Sequence, residues 1–178
     1  MNARTLLITG PPGVGKTTVV QKIAASLAGW RLAGFYTEEI RDAGRRRGFR
    51  AVTFDGSVTT IAHERIGGPH RVGKYGVDIS AIDALAAAAL TATPSTDACL
   101  VDEIGKMECL SSVFVVAARR LLDGPTPFVA TVGLRGGGFI AEVKRRSDVE
   151  VWKVTRANRD RVPQSAVARL RSVVESAG

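Results

Sequence analysis

The sequence predicts one α/β domain over residues 1–178, with a mostly parallel sheet between two helical layers and an added antiparallel hairpin. Three observations lead to this prediction. Short apolar runs alternate with segments of helical apolar spacing, an order typical of a sheet covered on both faces. A glycine-rich segment ending in Lys16-Thr17 joins the first strand to the first helix. The length of 178 residues suits one domain with its own core.

Apolar spacing and turn residues locate each element in order. In the first half, the pattern predicts strands at Arg4–Thr9, Ala33–Ile40, Gly48–Phe54 and Val58–His63, a helix over Lys16–Ala28, a polar loop over residues 41–47, and a helix capped by Ser80 and Asp83 that ends near Ala92. The segment Thr37–Phe54 is therefore expected to form the antiparallel hairpin.

The second half continues the alternation of strands and helices. The pattern predicts strands at Ala98–Val101, Phe128–Val132 and Val149–Val154 and helices at Ser112–Leu122, Gly138–Arg146 and Pro163–Ser176. Strands separated by helices at this spacing pair in parallel, so their carboxyl ends meet at one edge of the sheet.

Composition excludes several classes of protein. Hydrophobic residues make up 45% and charged residues 24% of the chain, which is typical of globular domains and not of disordered ones. No apolar run approaches the roughly 18 residues of a spanning helix, so we expect no membrane partner. Cys99 and Cys109 lack metal-ligand spacing and cannot form a disulfide framework, and we expect a cytoplasmic protein.

The net charge of +8 favours polyanionic ligands. Nucleic acid is one such partner, but it is the weaker alternative, because the basic run Arg45-Arg46-Arg47 has no interleaved aromatic residues on which bases could stack. A nucleotide with several phosphates satisfies the same charge.

The segment Gly10–Thr17 is an unbroken G-x-x-x-x-G-K-T between a strand and a helix, the context that defines a P-loop. Its glycines allow backbone N–H groups to surround phosphates, and the helix N-terminus adds a positive field. Lys16 is predicted to contact the β- and γ-phosphates and to be catalytic, and Thr17 is predicted to bind Mg²⁺. The nucleotide-binding residues predicted here are Gly10, Pro11, Pro12, Gly13, Val14, Gly15, Lys16, Thr17 and Thr18.

A second motif is the apolar strand that ends in Asp102-Glu103. In a doubly wound sheet these carboxylates reach the edge beside the P-loop. Asp102 is predicted to hold Mg²⁺ through water, and Glu103 to activate the attacking water as a general base. Adjacent side chains of an extended strand leave on opposite faces, so the two share a site only if the strand ends at Asp102 and the chain turns.

The γ-phosphate also needs cations where charge develops. The basic residues that could supply them are Lys106, Arg71, Lys74, Arg135 and Arg156. Thr131 ends a buried strand and is predicted either to contact the γ-phosphate or the water, or to bond locally.

These residues resemble the THEP-type nucleoside-triphosphatase family along nearly the whole chain. The matching segments are TGPPGVGKTT at Thr9–Thr18, GFYTEEIRDAGRRRGF at Gly34–Phe49, RVGKYGVD at Arg71–Asp78, VDEIGKME at Val101–Glu108 and VWKVTRANR at Val151–Arg159. One departure is the segment after Phe128–Val132, where the family is commonly basic and this chain keeps only Arg135.

The resemblance implies a three-layer P-loop NTPase fold and Mg²⁺-dependent hydrolysis of ATP, GTP and other nucleoside triphosphates, with broad base tolerance and modest turnover. It also implies that a second segment contacts the nucleotide. Its residues are Leu100, Val101, Asp102, Glu103, Ile104, Gly105, Lys106 and Met107.

Two other functions fit the same scaffold. A nucleotide or small-molecule kinase would transfer phosphate to an acceptor in place of water, and the arginine-rich hairpin could cover that acceptor. An NTP-dependent nucleic-acid-binding module or switch is the third reading, but residues 154–158 lack the Asn/Thr-Lys-x-Asp motif of guanine-specific switches.

Overall fold

Residues 3–176 are described by a computed structural model, and they form nine strands and five α-helices. The strands are β1 (Thr5–Gly10), β2 (Leu32–Asp42), β3 (Arg45–Thr53), β4 (Val58–His63), β5 (Arg71–Val72), β6 (Tyr75–Val77), β7 (Ala98–Ile104), β8 (Phe128–Gly133) and β9 (Val149–Lys153). The helices are α1 (Lys16–Ser26), α2 (Ile79–Ala89), α3 (Ser112–Asp123), α4 (Gly138–Lys144) and α5 (Val162–Glu175). A 3₁₀ turn spans Glu108–Leu110.

All nine strands belong to one sheet in the order β5-β6-β4-β3-β2-β7-β8-β1-β9. The adjacent strands β2, β7, β8, β1 and β9 pair in parallel. Strands β3, β4, β6 and β5 extend this half of the sheet beyond β2 by antiparallel pairing. Strand β8 lies between β1, which leads into the P-loop, and β7, which carries the acidic pair. The predicted α/β class, with its parallel sheet and antiparallel addition, is confirmed.

Helices cover both faces of the parallel half. On one face, α1 and α5 pack against alternate residues of β1, including Leu6 and Ile8. On the other face, Leu7 of β1 joins the core formed with α2, α3 and α4. This alternation buries β1 on both sides, as expected for a strand in the middle of a three-layer fold. No helix within residues 3–176 is long and apolar enough to cross a membrane.

The predicted loop over residues 41–47 is wrong. Strand β2 continues to Asp42 and β3 begins at Arg45, so the connection is only the pair Ala43-Gly44, both with positive φ (47° and 76°). Two positive φ angles are the signature of a tight hairpin turn whose twist matches that of the strands. Two arginines of the expected loop, Arg46 and Arg47, instead form ion pairs with Glu39 and Asp42 of the partner strand.

The predicted start and end of helix α2 are also wrong. Asp78, not Ser80, caps the helix by accepting a hydrogen bond from the Ala81 N–H (2.9 Å), and the helix ends at Ala89. Asp83 lies inside the helix and instead accepts a hydrogen bond from the Ser111 hydroxyl. The short hairpin of β5 and β6 was not predicted, because two- and three-residue strands are too short to show an alternating pattern.

Candidate active site

The P-loop joins β1 to α1 with the backbone geometry that a phosphate cradle requires. Gly13 and Gly15 have φ angles of 75° and 107°, which side-chain-bearing residues rarely adopt. The Val14 N–H closes a turn on the Pro11 carbonyl oxygen (3.3 Å), and the helix begins at Lys16. The first backbone N–H groups of the helix therefore stand beside the loop, where a phosphate can accept from them.

Lys16 lies over this loop with its side chain 12% exposed. Its ammonium group donates to the carbonyl oxygen of Gly10 (3.1 Å) and stands 4.0 Å from Glu103 Oε2. The cation of the P-loop and the carboxylate of β7 thus face the same space. Val14 is buried in the core, whereas Pro11, Pro12, Gly13 and Thr18 are exposed around the rim.

Asp102 is the most tightly held group of the site and is 2% exposed. Its Oδ2 accepts from the Thr17 hydroxyl (2.6 Å), from the Thr37 hydroxyl (3.1 Å) and from the Thr37 N–H (3.4 Å). Its Oδ1 accepts from the Thr131 hydroxyl (2.6 Å). The donors that the described residues direct at this buried carboxylate are all neutral, so its negative charge is hydrogen-bonded but not paired.

Three elements supply these donors: Thr17 comes from α1, Thr37 from β2 and Thr131 from β8. Thr131 is fully buried and bonded to Asp102, which assigns it to holding the carboxylate. Thr37 lies in the family segment Gly34–Phe49, but the sequence analysis gave it no role, because a threonine within a strand indicates no particular chemistry. In the structure it follows Phe35-Tyr36, where β2 stops pairing with β7 and continues in the hairpin with β3.

The turn expected after Asp102 is not there, because β7 continues through Glu103 to Ile104. The pairing of β7 with β8 instead shifts register between Val101 and Ile104, and the Asp102–Glu103 peptide bond is cis. The two carboxylates nevertheless lie at the same edge, one bonded to Thr17 and the other facing Lys16. The expectation that Asp102 and Glu103 share a site only if the strand ends at Asp102 is therefore wrong. The two side chains do lie at the same edge of the sheet, as expected.

Glu103 differs from its neighbour in its exposure and its partners. Its side chain is 35% exposed, and the nearest cation is Lys16 at 4.0 Å. Partial burial raises the pKa of Glu103, the Lys16 charge opposes that rise, and the Asp102 charge adds to it. A carboxylate with a raised pKa at the mouth of a phosphate cradle is suited to accept a proton.

A third carboxyl group, Glu108, was not anticipated as part of this site. It lies in the 3₁₀ turn after β7 and is 4% exposed. A side-chain carbon built on Gly105 would lie 2.8 Å from both Glu103 Oε1 and Glu108 Oε2, so both carboxyl groups lie against Gly105. Burial raises the pKa of Glu108 to about 8, and the charges of Glu103 and Asp102 add to the rise.

The other residues of the segment from Leu100 to Met107 divide between core and surface. Leu100, Val101 and Ile104 are fully buried core residues, and Met107 packs against the same core. Lys106 is exposed. Asp102 bonds to Thr17, Glu103 faces Lys16, and Gly105 lies against the carboxyl groups of Glu103 and Glu108.

Of the five candidate cations, two lie far from the P-loop and three lie at its edge of the sheet. Arg71 and Lys74 lie in the β5–β6 hairpin at the far edge of the sheet, where Arg71 bonds to Ile66 and Lys74 pairs with Glu64 (3.4 Å). Arg135 and Arg156 are exposed on the loops that follow β8 and β9, and Lys106 on the turn that follows β7. These last three lie at the P-loop edge of the sheet, since that is where parallel strands end.

A sequence model of a family described as NTPase matches residues 5–167 of this chain. Among curated proteins, the human protein named cancer-related nucleoside-triphosphatase is 37% identical over 186 residues, covering 96% of this chain and 98% of that protein. Nucleoside-triphosphatase THEP1 of Thermotoga petrophila is 40% identical over 156 residues, covering 87% of this chain and 86% of the relative.

Two solved structures share the fold. The crystal structure of THEP1 from Aquifex aeolicus superposes with a TM-score of 0.85 at 33% identity, covering 93% of this chain and 98% of the other. The solution structure of the human cancer-related nucleoside triphosphatase gives a TM-score of 0.82 at 37% identity, with coverage of 96% and 98%. The likeness therefore spans the P-loop, the acidic strand and the antiparallel hairpin together.

Proposed function

The chain belongs to the NTPase family, and from that membership we propose that it hydrolyses nucleoside triphosphates to diphosphates and phosphate with Mg²⁺. Membership confirms the resemblance read from the sequence. The observation that carries the proposal is the meeting of Lys16, Thr17, Asp102 and Glu103 around one glycine-rich loop. We further propose that residues 1–178 act as one unit in the cytoplasm.

Thr17 and Asp102 would hold the metal. Their oxygens are 2.6 Å apart and are of the hard type that Mg²⁺ prefers. The donor set fits a cation, because a buried carboxylate surrounded by neutral donors keeps an uncompensated charge. Mg²⁺ held there would offset charge on the β- and γ-phosphates.

Lys16 supplies the cation of the cradle. Its ammonium group rests on Gly10 O at the mouth of the loop, within reach of phosphates that the backbone N–H groups of the loop would bind. A charge-assisted hydrogen bond to a phosphoryl oxygen is among the stronger polar contacts that a protein makes. Lys16 therefore both binds the nucleotide and offsets charge that develops during transfer.

Glu103 is the general base of the proposal. The Glu103 side chain is partly exposed and can contact a water molecule, whereas Asp102 is buried and accepts hydrogen bonds from three threonine hydroxyls. The proton of the attacking water passes to the Glu103 carboxylate as the oxygen bonds to the γ-phosphorus and the bond to the diphosphate breaks. Its raised pKa strengthens it as a base.

A phosphate-release assay with ATP, GTP, CTP and UTP tests this function. We expect Mg²⁺-dependent release from each, loss of release in excess EDTA, and a loss of roughly 2–4 kcal/mol of transition-state stabilisation in Lys16→Ala. The exposed Lys153→Ala is the matched control and should leave release unchanged. Transfer of phosphate to an added acceptor, with little free phosphate released in its absence, would identify a kinase instead, and full activity of Lys16→Ala would show that this loop is not the phosphate site.

A further inference from the structure

A concavity adjoins the P-loop between helix α1 and the loop that follows strand β9. Its volume is about 320 Å³, which is at the lower end of the range for small-ligand pockets, about 300–1,000 Å³. The lining residues are Gly15, Thr18, Val19, Lys22, Arg159 and Asp160. Neither Lys16 nor Glu103 is among them, so a ligand there extends from the phosphate cradle away from the proposed base.

The loop that closes this concavity, residues 154–161, is held by one asparagine. Asn158 Oδ1 accepts from the Thr155 N–H (2.8 Å), and its Nδ2 donates to the Lys153 carbonyl oxygen (2.9 Å). The Arg159 N–H also bonds to Thr155 O (3.0 Å). These bonds fix the backbone on both sides of Arg159, so its side chain leaves from a defined position.

Arg159 lies across the start of helix α1. Its Cδ is 3.8 Å from the position that a side-chain carbon on Gly15 would occupy, and its Nη1 reaches Val14 O at 3.5 Å. That long hydrogen bond leaves most of the guanidinium donors available. The guanidinium is the largest flat group among the described lining residues, which include no aromatic ring.

We propose that the Arg159 guanidinium forms the platform for the nucleobase, on which the base stacks while the phosphates occupy the loop of Gly10–Thr17. The proposal rests on the proposed function, because it takes the P-loop as the phosphate site. An arginine plane stacks on aromatic faces, and every base presents such a face. A platform of this kind holds adenine, guanine, cytosine and uracil alike.

The edges of the base meet little that could select among them. The nearest polar pair, Lys22 and Asp160, is 3.8 Å apart and its side chains are 54% and 79% exposed. Groups so open to water exchange hydrogen bonds with solvent and discriminate weakly between donors and acceptors. Arg159 therefore determines that the ligand is a nucleotide, without determining which one.

Equilibrium binding of products separates the base from the phosphates and needs no hydrolysis. With Mg²⁺ present, calorimetry would measure the affinities of ADP, GDP, CDP, UDP and inorganic pyrophosphate for the full chain. We expect Arg159→Ala to weaken all four diphosphates by about tenfold, the size of effect seen when a stacking platform is removed. Pyrophosphate affinity should not change, because pyrophosphate has no base.

Two further variants distinguish stacking from charge. Arg159→Lys keeps the positive charge without the flat guanidinium and should resemble Arg159→Ala. Arg161→Ala removes the same charge from the same loop, outside the concavity, and should bind all five ligands as the unchanged protein does.

Other outcomes overturn the proposal in recognisable ways. An equal loss of pyrophosphate and diphosphate binding in Arg159→Ala would assign this arginine to the phosphates, and unchanged diphosphate binding would show that no base contacts it. If Lys16→Ala left pyrophosphate and diphosphate affinities unchanged, the P-loop itself would not be the phosphate site, and the proposed function would fail independently of Arg159.

Discussion

Acidic residues stand in opposite environments in the two halves of the sheet. In the β2–β3 hairpin, Glu38 faces Arg50 and Glu39 faces Arg46, each pair with nitrogen and oxygen 2.8 Å apart. At the P-loop edge, Asp102 has neutral donors only, and the nearest cation to Glu103 is 4.0 Å away. In the hairpin, arginines of the fold offset the negative charge of the carboxylates. At the P-loop edge the negative charge of the carboxylates is not offset by a close cation of the fold, and a bound cation could offset it.

The pKa values follow this division. The hydrogen bond from Arg46 lowers the pKa of Glu39, although partial burial opposes it. Burial raises the pKa of Glu103 and that of Glu108. Perturbed carboxyl groups gathered in one concave region are typical of functional sites. The comparison thus makes the edge shared by β1, β7 and β8 the candidate active site, and the predictions below test it.

The largest expected effect comes from neutralising Glu103. Glu103→Gln should bind Mg²⁺–nucleotide nearly as well as the unchanged protein, because the amide keeps the shape and Asp102 is untouched. Hydrolysis should fall by about 10²–10⁴-fold, the usual contribution of a positioned general base. Calorimetric affinity and single-turnover hydrolysis, measured on the same preparation, test both statements.

Asp102→Asn provides the contrast within the same strand. Because Asp102 is proposed to hold the metal, this variant should raise the Mg²⁺ requirement and weaken binding and turnover together. Wild-type hydrolysis by Glu103→Gln would assign the base to another residue. A matching loss of affinity in both variants would mean that the two carboxylates act as one metal site.

The next effect concerns Glu108 and the stability of the fold. A folded pKa of about 8 against an ordinary value of 4.5 means that the native state binds the proton more tightly than the unfolded chain. The stabilising contribution is therefore full below pH 4.5 and is lost as pH rises towards 8. Through that window, the free energy of unfolding should fall by up to about 1.4 kcal/mol per pH unit from this group.

Glu108→Gln cannot ionise, so its stability relative to the unchanged protein should increase with pH. Urea unfolding at several pH values between 5 and 8 measures the difference. Glu39→Gln is the control whose difference from the unchanged protein should stay constant in this window, because the lowered pKa of Glu39 stabilises above the ordinary value of 4.5 and that stabilisation is lost only as pH falls below it. Parallel pH curves for Glu108→Gln and the unchanged protein would refute the assignment.

The sequence predicted the P-loop edge better than the hairpin, and the reason is physical. Phosphate binding needs particular residues at fixed spacing. Gly10–Thr17 and the strand ending in Asp102-Glu103 can therefore be recognised from the sequence without a structure. The hairpin depends on pairing between strands. The run Arg45-Arg46-Arg47 looks like a solvated loop until the acidic partners of Arg46 and Arg47 in β2 are known.

Two residues of the candidate site lie in the family segments Gly34–Phe49 and Val101–Glu108, but nothing in those segments assigned them a role. Thr37 reaches Asp102 only because β2 pairs directly with β7, a fact of strand order. A glutamate is most often exposed, so the sequence alone gives no reason to expect Glu108 to be buried. Its burial depends on the 3₁₀ turn, which places its carboxyl group against Gly105. The register shift between β7 and β8 could not be predicted from the sequence either, because the rule that successive side chains alternate between the two faces holds for regular strands.

The smallest effect tests the hairpin itself. Glu38 and Arg50 lie directly opposite each other, with side chains 32% and 48% exposed. Exposed pairs of this kind contribute about 0.2–1 kcal/mol, because water and salt screen the attraction and both side chains lose freedom. A double-mutant cycle with Glu38→Gln and Arg50→Gln should give a coupling energy in that range. The coupling should shrink in high salt, since the screening length falls to about 3 Å at 1 M. A coupling energy of zero, or one that salt does not change, would mean that Glu38 and Arg50 do not compensate each other as an ion pair, and the contrast between the two halves would fail.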